Sequence, residues 1–377
     1  VRVCVSALLV TSKPGIGLAG VGRHMFQVLN QICKQNHGTT YEIFIDNQVE
    51  LKQEWLECPW VKWHCVPIKN TFDRILWSHW RIALKARQLK CNVVFVLFND
   101  IPYKCSIPIV SVVHDAFPRT HGNWFPSRKR KILDTLTNLA CKKSKKVITV
   151  SEFSKKSLAK AYNVPRDRFV VAYNGPGNQV VHGLKPCEEL ISAASGRYIF
   201  TVSTLEPRKN LDGLIKGFEI LKREKQFKDV SLIVAGARGW MESELLDQVE
   251  KSPCKSDIHF LGYVTEDILH AYLVGADTFA LVSHVEGFGI PVLEAMIAGT
   301  PIVTSRSSSL PEVAGEFANY CEPSIHADIA IALNKSLINR KEAMKLAEGA
   351  KIRAQEFTWE SAYEKIHDVL SYCASMD

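Results

Sequence analysis

Two glutamates separated by seven residues, Glu286 and Glu294, flank a glycine-rich turn that opens a helix. Thr278–Val282 reads as a buried strand. It runs into Ser283-His284-Val285-Glu286-Gly287-Phe288-Gly289-Ile290 and then Pro291-Val292-Leu293-Glu294-Ala295-Met296-Ile297-Ala298-Gly299. Pro291 suits the first position of a helix and Gly299 its end. The chain thus passes from the carboxyl end of a strand into a helix N-terminus, where free N–H groups and the helix dipole favour an anion. Gly287 and Gly289 let a ligand come close to the backbone. Carboxylates repel phosphate and accept hydrogen bonds from hydroxyls. An anion site flanked by hydroxyl acceptors suits a sugar nucleotide. Taken singly, Glu286 also fits a solvated loop charge and Glu294 a favourable charge in a first helical turn.

Three further sets of residues could join this chemistry. Thr204-Leu205-Glu206-Pro207-Arg208-Lys209-Asn210 follows the strand candidate Tyr198–Val202 and precedes a helix. Arg208 and Lys209, adjacent cations at a strand's carboxyl end, could stabilise a departing diphosphate, or could be a solvated pair at a turn. His114, in Val113-His114-Asp115, ends another strand candidate, where a histidine is as often structural as functional. Gly15, Gly17 and Gly20 meet the Gly-x-Gly-x-x-Gly spacing, with Gly22 opening a helix pattern. A lone match of this kind is weak and also fits a flexible turn. The sequence holds no Asp-x-Asp pair, no His/Cys spacing for a metal and no Gly-x-x-x-x-Gly-Lys-[Ser/Thr] loop. No metal and no cofactor are expected.

The elements that must position these residues alternate short apolar runs with helical patterns, as parallel α/β sheets do. In the first half the strand candidates are Val1–Leu9, Glu42–Ile45, Val93–Leu97, Ile109–Val113 and Lys146–Val150. A helix pattern from Gly22 carries Met25, Val28, Leu29 and Ile32. In the second half they are Tyr198–Val202, Ser231–Val234, Ile258–Leu261, Thr278–Val282 and Ile302–Thr304. A linker is read near Asn174–Gly196. The expected architecture is two doubly wound, Rossmann-like domains facing each other across a cleft. Residues 1–180 form the first domain, joined by a last helix at about 358–377, and residues 181–357 the second. Ligands in such sheets bind outside the carboxyl ends of the strands.

The run Glu286-Gly-Phe-Gly-Ile-Pro-Val-Leu-Glu294-Ala-Met-Ile-Ala-Gly-Thr-Pro-Ile-Val-Thr-Ser305 resembles the signature of the family-4 retaining glycosyltransferases of the GT-B fold, also called glycosyltransferase group 1. The resemblance implies that Glu286 lies at the transferred sugar's hydroxyls and that Glu294 holds the nucleotide ribose. Backbone N–H groups of Phe288, Gly289 and Ile290 would hold sugar hydroxyls and phosphate. Thr204–Asn210 resembles the family's phosphate-binding loop, with Lys209 the strongest match. Some relatives carry an arginine where Thr204 stands, a role that Arg208 would take here. By the same resemblance Gly20 and Gly22 belong to a loop near the acceptor and diphosphate, and His114, followed by Asp115, lies near the transferred sugar. Ser151–Ser154 and Asn174-Gly175 are also similar to family text and read as cleft-lining or structural. The implied activity is transfer of a hexose, with retention, from a nucleotide-diphosphate sugar to a glycan or lipid-linked saccharide, in polysaccharide or glycoconjugate biosynthesis.

Charge divides the chain unevenly. Its 377 residues carry a net +8, but residues 1–185 hold 28 Lys+Arg against 11 Asp+Glu, a net of +17, and the remainder is acidic by 9. The first half therefore calls for an anionic partner, such as a membrane surface or a lipid-linked phosphate, or else displays a solvated basic face. Arg128-Lys-Arg-Lys131 and Lys142-Lys-Ser-Lys-Lys146 flank a helix pattern, and Trp77, Trp80, Trp124 and Phe125 add aromatic groups. Nucleic acid is not the expected partner, although a basic membrane- or nucleic-acid-binding module is one alternative. A sugar-nucleotide epimerase or hydrolase of the same fold is another. No run approaches 18 apolar residues, and eleven scattered cysteines read as free thiols. A cytoplasmic protein, peripheral on the membrane's cytoplasmic face, is the expectation.

Overall fold

Short apolar runs dominate both halves because parallel strands are covered by helices on both faces. The computed structural model describes residues 1–10, 20–177, 196–236 and 242–376. In it the first sheet consists of β1 (Arg2–Ala7), β2 (Thr40–Asp46), β3 (Val61–Val66), β4 (Val93–Val96), β5 (Ile109–Val112), β6 (Lys146–Thr149) and β7 (Phe169–Val171). All its pairings are parallel, in the order β3-β2-β1-β4-β5-β6-β7. The second consists of β8 (Arg197–Val202), β9 (Val230–Ala235), β10 (Ile258–Gly262), β11 (Thr278–Leu281), β12 (Ile302–Ser305) and β13 (Asn319–Cys321). It too is parallel, in the order β10-β9-β8-β11-β12-β13. Strand order reverses between β1 and β4 and again between β8 and β11. Such switch points are where a doubly wound sheet opens a crevice for ligand.

The chain divides into two compact units, Val1–Gly175 with Thr358–Asp377, and Pro176–Phe357. Of the linker read from the sequence, residues 178–195 lie outside the described residues. Asn174 is buried within the first unit. A Cβ at Gly175 would stand 2.6 Å from Trp359 Cδ1 and 2.7 Å from the Trp359 backbone nitrogen, so only glycine allows this approach.

The helix Trp359–Ala374 completes the first unit. Thr358 caps it, its side chain accepting from Ser361 N. Trp359, Ala362, Tyr363, Ile366, Val369, Leu370 and Cys373 enter the core beside Val28, Ile32 and Tyr41. The Tyr41 and Tyr363 hydroxyls lie 2.8 Å apart, and Gln31 Nε2 donates to Glu360 Oε1 at 3.1 Å. Each large apolar side chain buried in this way contributes about 1.5–3 kcal/mol.

Three strands escape the sequence pattern. β3 is an edge strand, half-exposed along its length, so its polar and apolar residues mix. β7 and β13 are only three residues long. The first helix already includes Gly20, two residues before its pattern indicates. Trp77 belongs to the core rather than the surface, starting a π-helical turn, Trp77–Arg81, between the helices Thr71–Leu76 and Ile82–Gln88. Among the described residues ten cysteines are free, and no helix is long and apolar enough to cross a membrane.

Candidate functional site

In the second unit, the loops that leave β8 and β11 start from neighbouring strands at the switch point. The β8 loop runs through Thr204 and Glu206 into a tight 3-10 turn, Pro207–Lys209, and then the helix Leu211–Leu221. Asn210 joins turn to helix at φ 56°, a left-handed conformation that asparagine tolerates. Its Nδ2 donates to the carbonyls of Val282 at 3.0 Å and Pro323 at 2.7 Å, pinning the loop to the end of β11. The His284 N–H donates to the Arg208 carbonyl at 2.8 Å, so the two loops also join through backbone.

The β11 loop turns at Glu286–Gly289 into the helix Ile290–Ala298. Gly289 caps it at φ 107°, and a Cβ there would meet Leu310 Cδ2 at 2.7 Å. Serines at the end of β12 and just after it hold the turn. Ser309 Oγ donates to the carbonyls of Glu286 and Phe288, both at 2.9 Å. Ser308 Oγ accepts from Glu286 N at 2.9 Å. Ser305 and Ser307 donate to the Ser283 carbonyl at 2.6 and 3.1 Å.

These constraints bring Glu286, Arg208 and Lys209 into one cluster. Glu286 Oε1 accepts from Lys209 Nζ at 2.6 Å and Ser283 Oγ at 2.8 Å, and Oε2 accepts from Arg208 Nη1 at 2.8 Å. Arg208 Nε also bonds Glu206 Oε2 at 3.0 Å. The side chains of Glu286 and Lys209 are only 7% and 10% exposed. Burial alone would push the Glu286 carboxyl upward. The charges of Lys209 and Arg208, with hydrogen bonds from Lys209 and Ser283, outweigh it and hold the carboxyl at about 2. Burial, with Arg208 alongside, lowers the Lys209 ammonium against the pull of Glu286. Two carboxylates and two cations make this cluster neutral.

The structure removes several of the alternative readings. Glu286 is not a solvated loop charge but a buried one, and both its oxygens already hold partners. Arg208 and Lys209 are engaged by carboxylates rather than open to solvent. Glu294 does not lie in the first helical turn. The helix starts at Ile290, which puts Pro291 second and half-buried Glu294 fifth. The Phe288 side chain is core, 5.7 Å edge-on to Phe357, which leaves its backbone and that of Gly287, Gly289 and Ile290 at the helix entrance. Thr204 sits half-buried in the β8 loop.

In the first unit, His114 lies two residues past β5, buried, its ring 4.8 Å from that of His24. Burial lowers its pKa well below the ordinary histidine range, and His24 adds to the effect. Asp115 Oδ1 accepts from Phe117 N at 3.0 Å, and Ser151 caps the helix Glu152–Tyr162. Gly20 and Gly22 lie in the helix Gly20–Lys34 without positive φ, and among the described residues nothing lies within 4 Å of a Cβ at Gly20. Gly15 and Gly17 lie outside the described residues. Sequence reasoning missed His24, although it directly follows the glycine stretch. It also missed the serines of Ser305–Ser309, whose repetition after a strand was a usable signal. Among the described residues no group of three or more His, Cys, Asp or Glu is placed to hold a metal ion.

Comparison with known proteins bears on both units. Residues 188–353 match the family model of glycosyl transferases group 1, and residues 18–176 that of glycosyltransferase family 4. The O-antigen chain mannosyltransferase B of Escherichia coli is 29% identical over 256 residues, 67% of this chain and 67% of that protein. A glycogen synthase of Mycobacterium tuberculosis is 26% identical over 68% of this chain and 61% of its own length. The matched part thus spans about two thirds or less of these relatives. Among solved structures, sucrose-phosphate synthase from Thermosynechococcus elongatus superposes with a TM-score of 0.77 at 14% identity, covering 100% of both chains. Anabaena HepE, in complex with UDP and glucose, gives 0.71 at 17% identity over 98% of this chain and 99% of that one. These are likenesses of fold, and the fold they share with this chain is GT-B.

Proposed function

Since the chain belongs to the group 1, family-4 glycosyltransferases, we propose that it moves a hexose, with retention, from a nucleotide-diphosphate sugar to a glycan or lipid-linked saccharide. The donor is UDP- or GDP-linked, carrying glucose or mannose. The observation that carries this reading is the Glu286–Lys209–Arg208 cluster at the switch point between β8 and β11, beside a helix N-terminus. Lys209, Arg208 and the first-turn N–H groups stabilise the leaving diphosphate, so this reading calls on no metal. Glu286 turns to the transferred sugar's hydroxyls and Glu294 to the ribose. His114 contacts the transferred sugar as a neutral imidazole. The acceptor hydroxyl attacks from the face the diphosphate leaves, and the departing β-phosphate takes its proton. A relative named as a mannosyltransferase and a fold neighbour holding UDP and glucose support a hexose donor.

A panel of UDP-, GDP- and ADP-sugars, scored by calorimetry and slow donor hydrolysis, tests this proposal. Submillimolar binding of one UDP- or GDP-hexose, with the anomeric configuration kept in the transfer product, is the expected outcome. No binding across the panel, or an inverted product, would overturn the donor class or the stereochemistry.

The acceptor belongs to the first unit in this proposal, and an anionic membrane surface presents it. Phe72, Trp80 and Leu84, on the helical stretch 71–88, are 71%, 50% and 61% exposed. Arg81 and Lys85 lie exposed among them, and Arg128–Lys131 are exposed as well. Apolar side chains mixed with cations suit the interface of an anionic bilayer, where each cation contributes about 1 kcal/mol. Cosedimentation with phosphatidylglycerol vesicles should fall at least fivefold for Trp80→Ser/Leu84→Ser and fall again at 0.5 M salt, roughly as surface screening requires. Equal partition of variant and parent would remove this face from the proposal.

A further inference from the structure

His24 is fully buried in the helix Gly20–Lys34, and nothing in the proposed reaction uses it. Its Nδ1 lies 2.8 Å from Asn174 Oδ1, three residues beyond β7. An amide oxygen only accepts, so Nδ1 carries the ring proton and Nε2 is bare. Burial holds the imidazole at about 4 despite this hydrogen bond, so the ring is neutral at physiological pH. Trp359 packs edge-on at 5.6 Å, and His114 meets the same ring at 4.8 Å and 89°. Three elements distant in sequence thus fix one ring, and that ring abuts His114. Among the described residues, the Nε2 atoms of both histidines are buried without a hydrogen-bond partner. A buried polar atom left unpaired carries a cost that a functional role can justify. His24 has no exposed surface through which to meet a ligand, whereas His114 keeps 9%. Any influence of His24 on substrate therefore runs through His114.

We propose that His24 is a positioning residue for His114: locked by Asn174 and Trp359, its ring sets the orientation in which His114 meets a sugar hydroxyl. This rests on the reading of His114 as a sugar contact. The contact between the two rings is an edge-to-face one, which sustains an effect of up to about tenfold. The alternative is a buried histidine that merely fills the core, and a double-mutant cycle separates the two.

The experiment measures kcat and KM for hydrolysis of UDP-glucose or GDP-mannose, whichever the protein accepts, in His24→Ala, His114→Ala and the double variant. His24→Ala should lower kcat about tenfold with donor KM within twofold. The double variant should be no slower than His114→Ala alone. His24→Phe, which keeps a ring against His114, should recover kcat to within about threefold of the parent. Losses that multiply in the double variant, or a His24→Ala effect confined to KM, would overturn the proposal. Should His24→Ala fail to fold, the same cycle with His24→Leu decides, since leucine keeps bulk but no ring. If His114→Ala turns over like the parent, the sugar contact itself is wrong and the positioning role falls with it. A loss in His114→Ala with an additive cycle leaves the sugar contact standing and removes only His24.

Discussion

Glu286→Gln should lower hexose transfer by at least about a hundredfold, the scale of losing one polar group matched to the transition state, and yet tighten the binding of UDP or GDP alone. The two effects have one cause. Glu286 accepts from Lys209 at 2.6 Å and Arg208 at 2.8 Å, while Glu206 holds the other side of Arg208. The cluster is neutral, so an arriving diphosphate competes with Glu286 for both cations. Glutamine keeps the shape and removes the charge, leaving the cluster with a net positive charge. Diphosphate affinity should then rise by roughly three- to tenfold, as one charge at this range allows in a partly screened site. Calorimetry with UDP and GDP, beside single-turnover transfer, reads both effects. Normal transfer would sink the role given to Glu286, and unchanged diphosphate affinity would sink the competition. The pH dependence has a definite sign. The Glu286 carboxyl is held at about 2, so its ion pairs are fully present above the ordinary carboxyl pKa and are lost only as the pH falls toward 2. Diphosphate affinity in the parent should therefore show no step from Glu286 between pH 8 and 5.

Lys209→Ala should harm both folding and transfer. The truncation leaves Glu286 with Arg208 and Ser283 as partners while the carboxylate stays buried. Breaking a buried pair from one side costs about 3–5 kcal/mol, mostly because the remaining charge is uncompensated. A thermal or urea melt should show a loss of about 3 kcal/mol, and donor hydrolysis should fall by roughly a hundredfold. Lys209→Met/Glu286→Gln separates the two losses. With the charge removed from both partners, stability should return to within about 1 kcal/mol of the parent, while transfer stays lost. A stable Lys209→Ala protein with normal kinetics would take this lysine out of the site.

Interior strands were legible in the sequence because burial on both faces leaves uniform apolar runs, as in β4 and β11. β3 was not, because an edge strand is half wet and its pattern resembles a loop. Glu286 and Lys209 could each be placed at a strand's end, but their 2.6 Å contact spans 77 residues and depends on β8 lying next to β11. Strand order is a tertiary fact that spacing does not encode. Trp77 illustrates the converse error: beside Trp80 it reads as a surface aromatic, yet the intervening turn sends one ring inward and the other out. The His24–Asn174 bond joins residues 150 apart and leaves no local trace.

The helix Trp359–Ala374 has a consequence for synthesis. A ribosome makes the first unit's sheet early, but seven of that unit's core side chains come only after the whole second unit has been translated. At roughly 5–20 residues per second, the gap is on the order of ten seconds or more. During it Val28, Ile32 and Tyr41 lack the helix that covers them, and the nascent chain displays an apolar groove suited to a chaperone. Of the two units, the one begun earlier is completed only after the other, so damage to residues 358–377 would be felt in the fold of residues 1–175.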